Sequence, residues 1–289
     1  MRDYAITTDS SCDFDQALAD SLGVTVVPLS VQIGPRRFRN APGEAMDSHS
    51  FYQLLSQGEL AQTSAPNVEE FKAVWRPILQ SGRDLLYLGF SSGLSGTYHN
   101  AAIAAEDLRE EFPEARIITV DTLCASLGQG MLVDLTVQEK RQGKTLDEAA
   151  AFAEKNRLHL CHWFTVGDLS QLRRGGRLSA GKAIVGNLLN IKPVLHVDDE
   201  GHLVPMASAK GRKKSIEALV SHMEESAVAP EQQRVYISHG DCLADAQLLA
   251  QMVRDRLHVS SVTIGDVGPV IGAHSGAGTL ALFFLGSKR

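Results

Sequence analysis

The sequence predicts an α/β protein of two domains: an N-terminal Rossmann-like parallel sheet with helices over residues 1–160, and a C-terminal mixed or antiparallel α/β domain over 161–289. Three observations predict it. The chain has 289 residues, 44% of them hydrophobic, which is longer than one hydrophobic core usually grows. Through the first half, short β-type runs alternate with helical patterns, the signature of βαβ units and a parallel sheet. After about residue 160 the strand candidates crowd together, and the two-residue corner Glu200-Gly201 between two of them marks a hairpin, hence a mixed sheet.

Tyr4–Thr8 opens the first domain as a strand, followed by the extended run Gly23–Ile33 (GVTVVPLSVQI), the apolar run Asp84–Phe90 (DLLYLGF) and Ala115–Val120 (ARIITV). Between them Asp47–Ser56, Val68–Gln80 and Thr97–Glu111 carry helical patterns. Leu127–Arg141 and Leu146–Leu158 continue that pattern, separated by the polar break Gln142-Gly143-Lys144-Thr145. In the second half the strands are Cys161–Val166, Lys192–Val197, His202–Ala207, Arg234–Ser238, Val259–Gly265 and Thr279–Leu285, with helices at Ile184–Leu189, Lys214–Glu225 and Leu243–Arg256. No repeat, low-complexity tract or Pro/Ser linker separates the halves, so the two domains are expected to touch and share a cleft.

Composition narrows the function classes. The net charge is −6, which argues against the basic footprint of a nucleic-acid or anionic-membrane binder. The N-terminal stretch lacks the apolar segment of a signal peptide, and no window reaches eighteen uninterrupted apolar residues, so an intracellular, non-spanning chain is expected. Cys12, Cys124, Cys161 and Cys242 stand far apart without a C-x-x-C pair and are expected to be reduced thiols in cytoplasm. His159-Leu160-Cys161-His162 lacks a complementary cluster elsewhere, and no metal is expected.

The chemistry-bearing candidates are loops rich in hydrogen-bond donors. Ser91-Ser92-Gly93-Leu94-Ser95-Gly96-Thr97 lies between an apolar strand and a helix, where a sheet's carboxyl ends and a helix N-terminus favour an anion. Helix capping alone uses the same residue types. The spacing is neither G-x-G-x-x-G nor a Walker loop, so no nucleotide is specified. Gly176-Arg177-Leu178-Ser179-Ala180-Gly181-Lys182-Ala183 matches G-x-x-x-x-G-K, but alanine stands where Mg²⁺ needs a hydroxyl, and Gly167–Arg174 before it reads as helix rather than strand. Its neighbours Arg173, Arg174 and Arg177 are candidate anion partners or a solvated positive face. Thr8-Asp9-Ser10-Ser11, Thr63-Ser64-Ala65-Pro66 and Gly272-Ala273-His274-Ser275-Gly276-Ala277-Gly278 repeat the donor-rich chemistry, and several such loops could converge on one anion.

Taken in order, these loops together with Asp121-Thr122, Gly175-Gly176-Arg177 and Gly186-Asn187-Leu188-Leu189-Asn190-Ile191-Lys192-Pro193 resemble the DegV family, bacterial fatty-acid-binding proteins that serve a fatty acid kinase. The resemblance spans nearly the whole chain. It implies two α/β domains with a ligand between them: a palmitate-like long-chain fatty acid, its acyl chain in a buried tunnel, and no other cofactor. By position, Thr63, Ser95 and His274 would hold the carboxylate, with Arg177 close by and Ser64, Ser92, Gly93, Gly96 and Thr97 in the supporting loops. It further implies a non-catalytic protein that presents the acid to a separate kinase with a dihydroxyacetone-kinase-like domain. Lys210-Gly211-Arg212-Lys213-Lys214 has lysine where relatives tend to place arginine near the docking face, and the two are not equivalent as docking groups.

On this reading each buried methylene gives about 0.8 kcal/mol and each hydrogen bond to the carboxylate about 1.5–3 kcal/mol, so the tail sets affinity and the head group sets orientation. Ile184, Val185, Leu188, Leu189, Ile191, Phe283 and Phe284 are candidate tunnel residues. A carboxylate beside His274 is expected to raise its proton affinity. The chief rival reading is a serine hydrolase or acyltransferase using Ser95 and His274, with Asp9 or Asp121 as orienter, although the second glycine of G-x-S-x-G is missing. A binder of sugars or small ketones is the other rival, and a long apolar cavity distinguishes against it.

Overall fold

The computed structural model describes residues 2–167, 169–179 and 190–289. The first sheet is parallel. Strands β1 (Tyr4–Asp9) and β2 (Thr25–Val27) flank helix α1 (Gln16–Leu22), and β3 (Ser30–Ile33), β4 (Arg36–Arg39), α2 (Ser48–Ser56) and β5 (Ala61–Ser64) leave the sheet before α3 (Val68–Gln80) leads back to β6 (Asp84–Gly89). Helix α4 (Thr97–Glu111), β7 (Ile117–Asp121), α5 (Ser126–Arg141) and α6 (Leu146–Asn156) complete this half. The strand order is β2-β1-β6-β7. β1 and β6 are buried along their whole length, as strands covered on both faces must be. Alternate residues serve opposite faces: Ala5, Leu85 and Tyr87 pack with Phe71 and Trp75 of α3 and Ala104 of α4, while Ile6, Leu86 and Leu88 pack with Met131 and Leu132 of α5. Asn67 and Thr145 close reciprocal capping boxes at the starts of α3 and α6.

The second half supplies β8 (Leu160–Thr165), α7 (Ser170–Arg174), β9 (Ile191–Val197), β10 (Leu203–Lys210), α8 (Arg212–Ser226), β11 (Arg234–His239), α9 (Leu243–Leu257), β12 (Ser261–Asp266), α10 (Pro269–Ser275) and β13 (Leu280–Leu285). Its strand order is β10-β9-β8-β13-β11-β12. Only β11 and β12 run parallel among these pairings, so the expected mixed sheet is present. The hairpin corner lies at Glu200-Gly201, and Gly201 takes φ +80°, a left-handed conformation that costs glycine nothing. One face of this sheet packs on α8 and α9 through Leu219, Val220, Leu249 and Val253. The other face reaches α5, so Phe164, Tyr236, Ala281 and Phe283 share an apolar cluster with Met131 and Leu132.

The extended run Gly23–Ile33 is two strands rather than one. It breaks at Pro28, which lacks the donor a sheet ladder needs, and β3 then leaves to form a separate antiparallel sheet of order β4-β3-β5. That small sheet packs Val31 and Ile33, with Phe51 and Tyr52 of α2, against Val270 and Ala273 of α10. Helix α10 itself stands where a Gly-rich loop was expected. Pro269 at its first turn fits a helix start, and the stretch buries Val270, Ala273 and Ser275. The expected helix at Ile184–Leu189 lies outside the described residues. No described helix is long and apolar enough to cross a membrane.

Candidate functional site

The Ser91–Thr97 loop is held from three sides. Ser91 Oγ donates to the Gly201 carbonyl at 2.8 Å, which anchors the loop to the β9–β10 corner, and the Ser92 amide donates to Asp121 Oδ1 at 3.2 Å. Ser95 Oγ and Thr97 Oγ1 are 2.8 Å apart, and the Thr97 amide donates to Ser95 Oγ at 3.2 Å. The Asp121-Thr122 motif thus positions the loop: Thr122 Oγ1 donates to the Gly89 carbonyl at 2.6 Å at the end of β6.

Beside this loop lies a cavity of about 230 Å³ lined by residues from both halves. Its polar edge includes Thr63 of β5, Ser95 and Gly96, Arg177 and His274 of α10. Thr63 Oγ1 and His274 Nε2 are 2.8 Å apart although 211 positions separate them in sequence. Arg177 Nε donates to the Leu94 carbonyl at 3.2 Å, and its other arm donates to the Gly175 carbonyl, so the guanidinium is fixed against the Ser91–Thr97 loop. Gly175 explains itself by contact: a Cβ there would stand 2.6 Å from His274 Nδ1. Most of the remaining wall is apolar, including Leu29, Phe90, Leu94, Phe164, Val270 and Phe283.

Electrostatics at His274 runs opposite to the direction expected beside a bound carboxylate. Burial, and then the positive charge of Arg177, push the imidazole down to about 4 in the chain alone. The ring is therefore neutral at pH 7, with its Nε2 engaged by Thr63.

The four residues expected to meet, Thr63, Ser95, Arg177 and His274, do line one cavity. Gly96 joins them and Thr97 supports Ser95 from a buried position. Ser64 and Ser92 are exposed and do not line the cavity, nor does Gly93, which packs on the β9–β10 corner. Thr8-Asp9-Ser10-Ser11 is a brace rather than a wall. Fully buried Asp9 accepts from the Ser11 amide at 3.0 Å, the Tyr87 hydroxyl at 2.7 Å, the Phe90 amide at 2.9 Å and Gln129 Nε2 at 3.2 Å. Phe283 lines the cavity, but Phe284, one residue on, faces the α8–α9 core, as strand alternation requires. Ile191 is half-buried at the start of β9 and is not part of the wall. Ile184, Val185, Leu188 and Leu189 lie outside the described residues, as does the Gly181-Lys182-Ala183 end of the Walker-like string. Arg173 and Arg174 end α7 in exposed positions.

Ser126, Ser238 and Thr279, which no sequence signal marked, also line the cavity, as do His162 of the string considered for a metal and Ser275 beside His274. His162 is fully occupied, with Nδ1 3.0 Å from the Leu160 carbonyl and Nε2 accepting from the Ala125 amide at 3.3 Å, and burial drives its proton affinity down. Among the described residues, no three His, Cys, Asp or Glu side chains converge as a metal site.

The model of a family described as "Uncharacterised protein, DegV family" matches residues 3–287. The chain belongs to the DegV family. A DegV domain-containing protein of Clostridium perfringens is 41% identical over 289 residues, all of this chain and 99% of that one. Among solved structures, a DegV family protein from Thermus thermophilus described for its fatty acid binding is 33% identical with TM-score 0.87, covering 98% of this chain and 99% of that one. A DegV lipid-binding protein from Thermotoga maritima is 28% identical with TM-score 0.88, covering 99% of each chain. DegV of Bacillus subtilis, described as a fatty acid binding protein, is 27% identical with TM-score 0.85, covering 98% of this chain and 99% of that one. The α/β fold with a parallel four-stranded sheet and a separate mixed sheet is thus the DegV fold.

Proposed function

We propose that this chain binds a long-chain fatty acid and presents it to a fatty acid kinase, without chemistry of its own. The observation that carries the reading is that Thr63, Ser95, Arg177 and His274, from four separate segments, line the same mainly apolar cavity. Two hydroxyls and an imidazole offer hydrogen bonds to a carboxylate, and Arg177, not itself required as a ligand, makes the local potential positive. The apolar wall takes the acyl chain. For about sixteen carbons the gross apolar gain exceeds 10 kcal/mol before ordering costs, so a head group held by three or four polar residues suffices to set orientation. The fatty-acid-binding descriptions of the Thermus and Bacillus relatives support the same ligand class. The reading divides the chain near residue 160 into two domains that close on the ligand.

Presentation fits a ligand whose acid group sits near the Ser91–Thr97 loop, where a partner can reach it. Lys210 ends β10 in an exposed position, Arg212 is tied to Asp245 at 2.8 Å and Lys214 pairs with Glu217 at 3.1 Å, so Lys210 and Lys213 are the cations of that stretch left to meet a kinase.

A hydrolase needs Ser95 against His274 and a carboxylate behind the ring. Here Ser95 pairs with Thr97 and His274 with Thr63, while Asp9 is spent on Ser11, Tyr87, Phe90 and Gln129, and Asp121 on Ser92 and Leu123. The deciding experiment is denaturing extraction of the purified protein followed by mass spectrometry. A stoichiometric long-chain fatty acid is expected. An empty protein that also fails to bind added palmitate, or Ser95-dependent turnover of activated acyl esters, would overturn the proposal.

A further inference from the structure

The mixed sheet has two edges, and they differ. At the β10 edge the ladder to β9 shifts register between Pro205 and Ala207, Leu178 bridges Leu203, and Lys210 ends the strand. A bulge, a covering segment and a charged end are the ordinary means by which an edge refuses another strand. β12, at the opposite edge, has neither bulge nor cover among the described residues. Its six residues pair with β11 in unbroken register, and they include no proline, lysine or arginine. Just beyond them the Val267 amide donates to the His239 carbonyl at 2.8 Å. Alternation along a parallel pair then turns the N–H and C=O of Ile264 and Asp266 away from β11, toward the open side.

That side gives onto a groove of about 880 Å³ that shares no lining residue with the fatty-acid cavity. Thr263–Asp266, about 13 Å of strand, line it together with α1 and the 40–48 loop. Its charged lining is Asp13, Asp15, Asp47 and Asp266, with no lysine or arginine. Asp13 is spent inside the fold on Ser126 and the Gly268 amide. The other three are exposed, and among the described residues none of them meets a lysine or arginine; Asp266 has only His239, 3.5 Å away. Apolar surface lies beside this charge: Leu18, Met46 and Leu243 line the same groove, and Leu243, at the start of α9, is 50% exposed.

We propose that this groove receives an extended segment of a protein partner, which adds to β12 as a further strand and carries alternating cationic and apolar side chains. The open backbone groups of Ile264 and Asp266 supply the hydrogen bonds of strand addition, and pockets beside the edge select the side chains. Charge complementarity chooses the occupant: three exposed carboxylates without cations favour a basic segment and repel an acidic one. The inference goes beyond the fatty-acid reading and does not rest on it.

The test uses the full-length chain and a fluorescein-labelled, amide-capped peptide, Lys-Val-Lys-Val-Lys-Val, followed by fluorescence anisotropy against Glu-Val-Glu-Val-Glu-Val. The basic peptide should bind at least about tenfold more tightly than the acidic one. The triple variant Asp15→Asn, Asp47→Asn, Asp266→Asn should cut that preference to about threefold or less, while asparagine keeps the helix caps that Asp15 and Asp47 provide. N-methylation separates strand addition from simple charge attraction. An added strand turns alternate amides toward β12, so methylating either the three lysine or the three valine amides should weaken binding about tenfold. Ile264→Pro removes one outward amide, leaves the β11 ladder intact and should weaken the parent peptide about fivefold, with an unchanged circular dichroism spectrum showing that the chain has folded. Equal binding of the basic and acidic peptides overturns the proposal, as does full binding by both methylated peptides. Self-association of the chain that the triple variant abolishes would give the groove to a second copy and overturn it as well.

Discussion

His274 gives the sharpest physical test because its proton affinity is displaced by identifiable causes. Burial, and then Arg177, lower it from the ordinary 6.5 to about 4. Between those two values the unfolded chain binds a proton that the folded chain does not, so folding stability falls as pH drops below about 6.5 and the loss is complete below about 4. Above pH 7 both states are neutral and the group contributes nothing. Each pKa unit corresponds to about 1.4 kcal/mol, so the loss attributable to this ring is about 2 kcal/mol by pH 5 and on the order of 3 kcal/mol at the acid limit. The perturbation is His274→Gln, which keeps a hydrogen-bonding group toward Thr63 and cannot titrate. Urea unfolding of lipid-free wild type and variant at pH 7.5, 6, 5 and 4.5 isolates the effect, since all other titrations cancel in the difference. The variant should gain on the wild type steadily as pH falls. A difference constant from pH 7.5 to 4.5 would refute the argument. Binding should run the opposite way: a carboxylate beside the ring offsets Arg177, raises the ring's proton affinity and draws in a proton, so affinity strengthens as pH falls and weakens as it climbs.

Asp13→Asn should stabilise the protein at alkaline pH. Burial lifts this carboxyl to about 8, so the folded state loses stability as pH rises from about 4 through 8, and the variant's melting temperature should exceed the wild type's more at pH 9 than at pH 5. Gly175→Ala should cost roughly 1–3 kcal/mol of stability, because its Cβ would stand 2.6 Å from His274 Nδ1, and most of that cost should vanish in a His274→Ala background when the two are combined in a double-mutant cycle. Lys210→Glu should leave fatty acid binding intact and slow transfer to the kinase, and unchanged transfer kinetics would place the docking surface elsewhere.

What the sequence disclosed follows the strength of each local signal. The continuous apolar runs that became β6 and β13 left little ambiguity, since strands covered on both faces need side chains that avoid water at every position. Strand β4 was hidden because its residues, Arg36, Arg37, Phe38 and Arg39, bury only an edge, and what makes them a strand is pairing with β3 rather than their own pattern. Helix α10 was hidden because Gly272 and Gly276 speak for a loop, while the apolar face that packs on Val31 and Phe51 is set by partners far away in sequence.

The site divides along the same line. Serine and aspartate donors and acceptors serve a ligand or a fold equally well, so Thr8-Asp9-Ser10-Ser11 and Ser91–Thr97 look alike as strings, yet one braces Tyr87 and Phe90 from within and the other borders the cavity. Only the order of all the loops together, matched to a family, picked out Thr63, Ser95, Arg177 and His274. No such order exists for Ser126 and Ser238, which sit at a helix start and inside a strand, their hydroxyls 3.0 Å apart. Their convergence depends on α5 lying between two sheets, a packing relation that a linear pattern does not record.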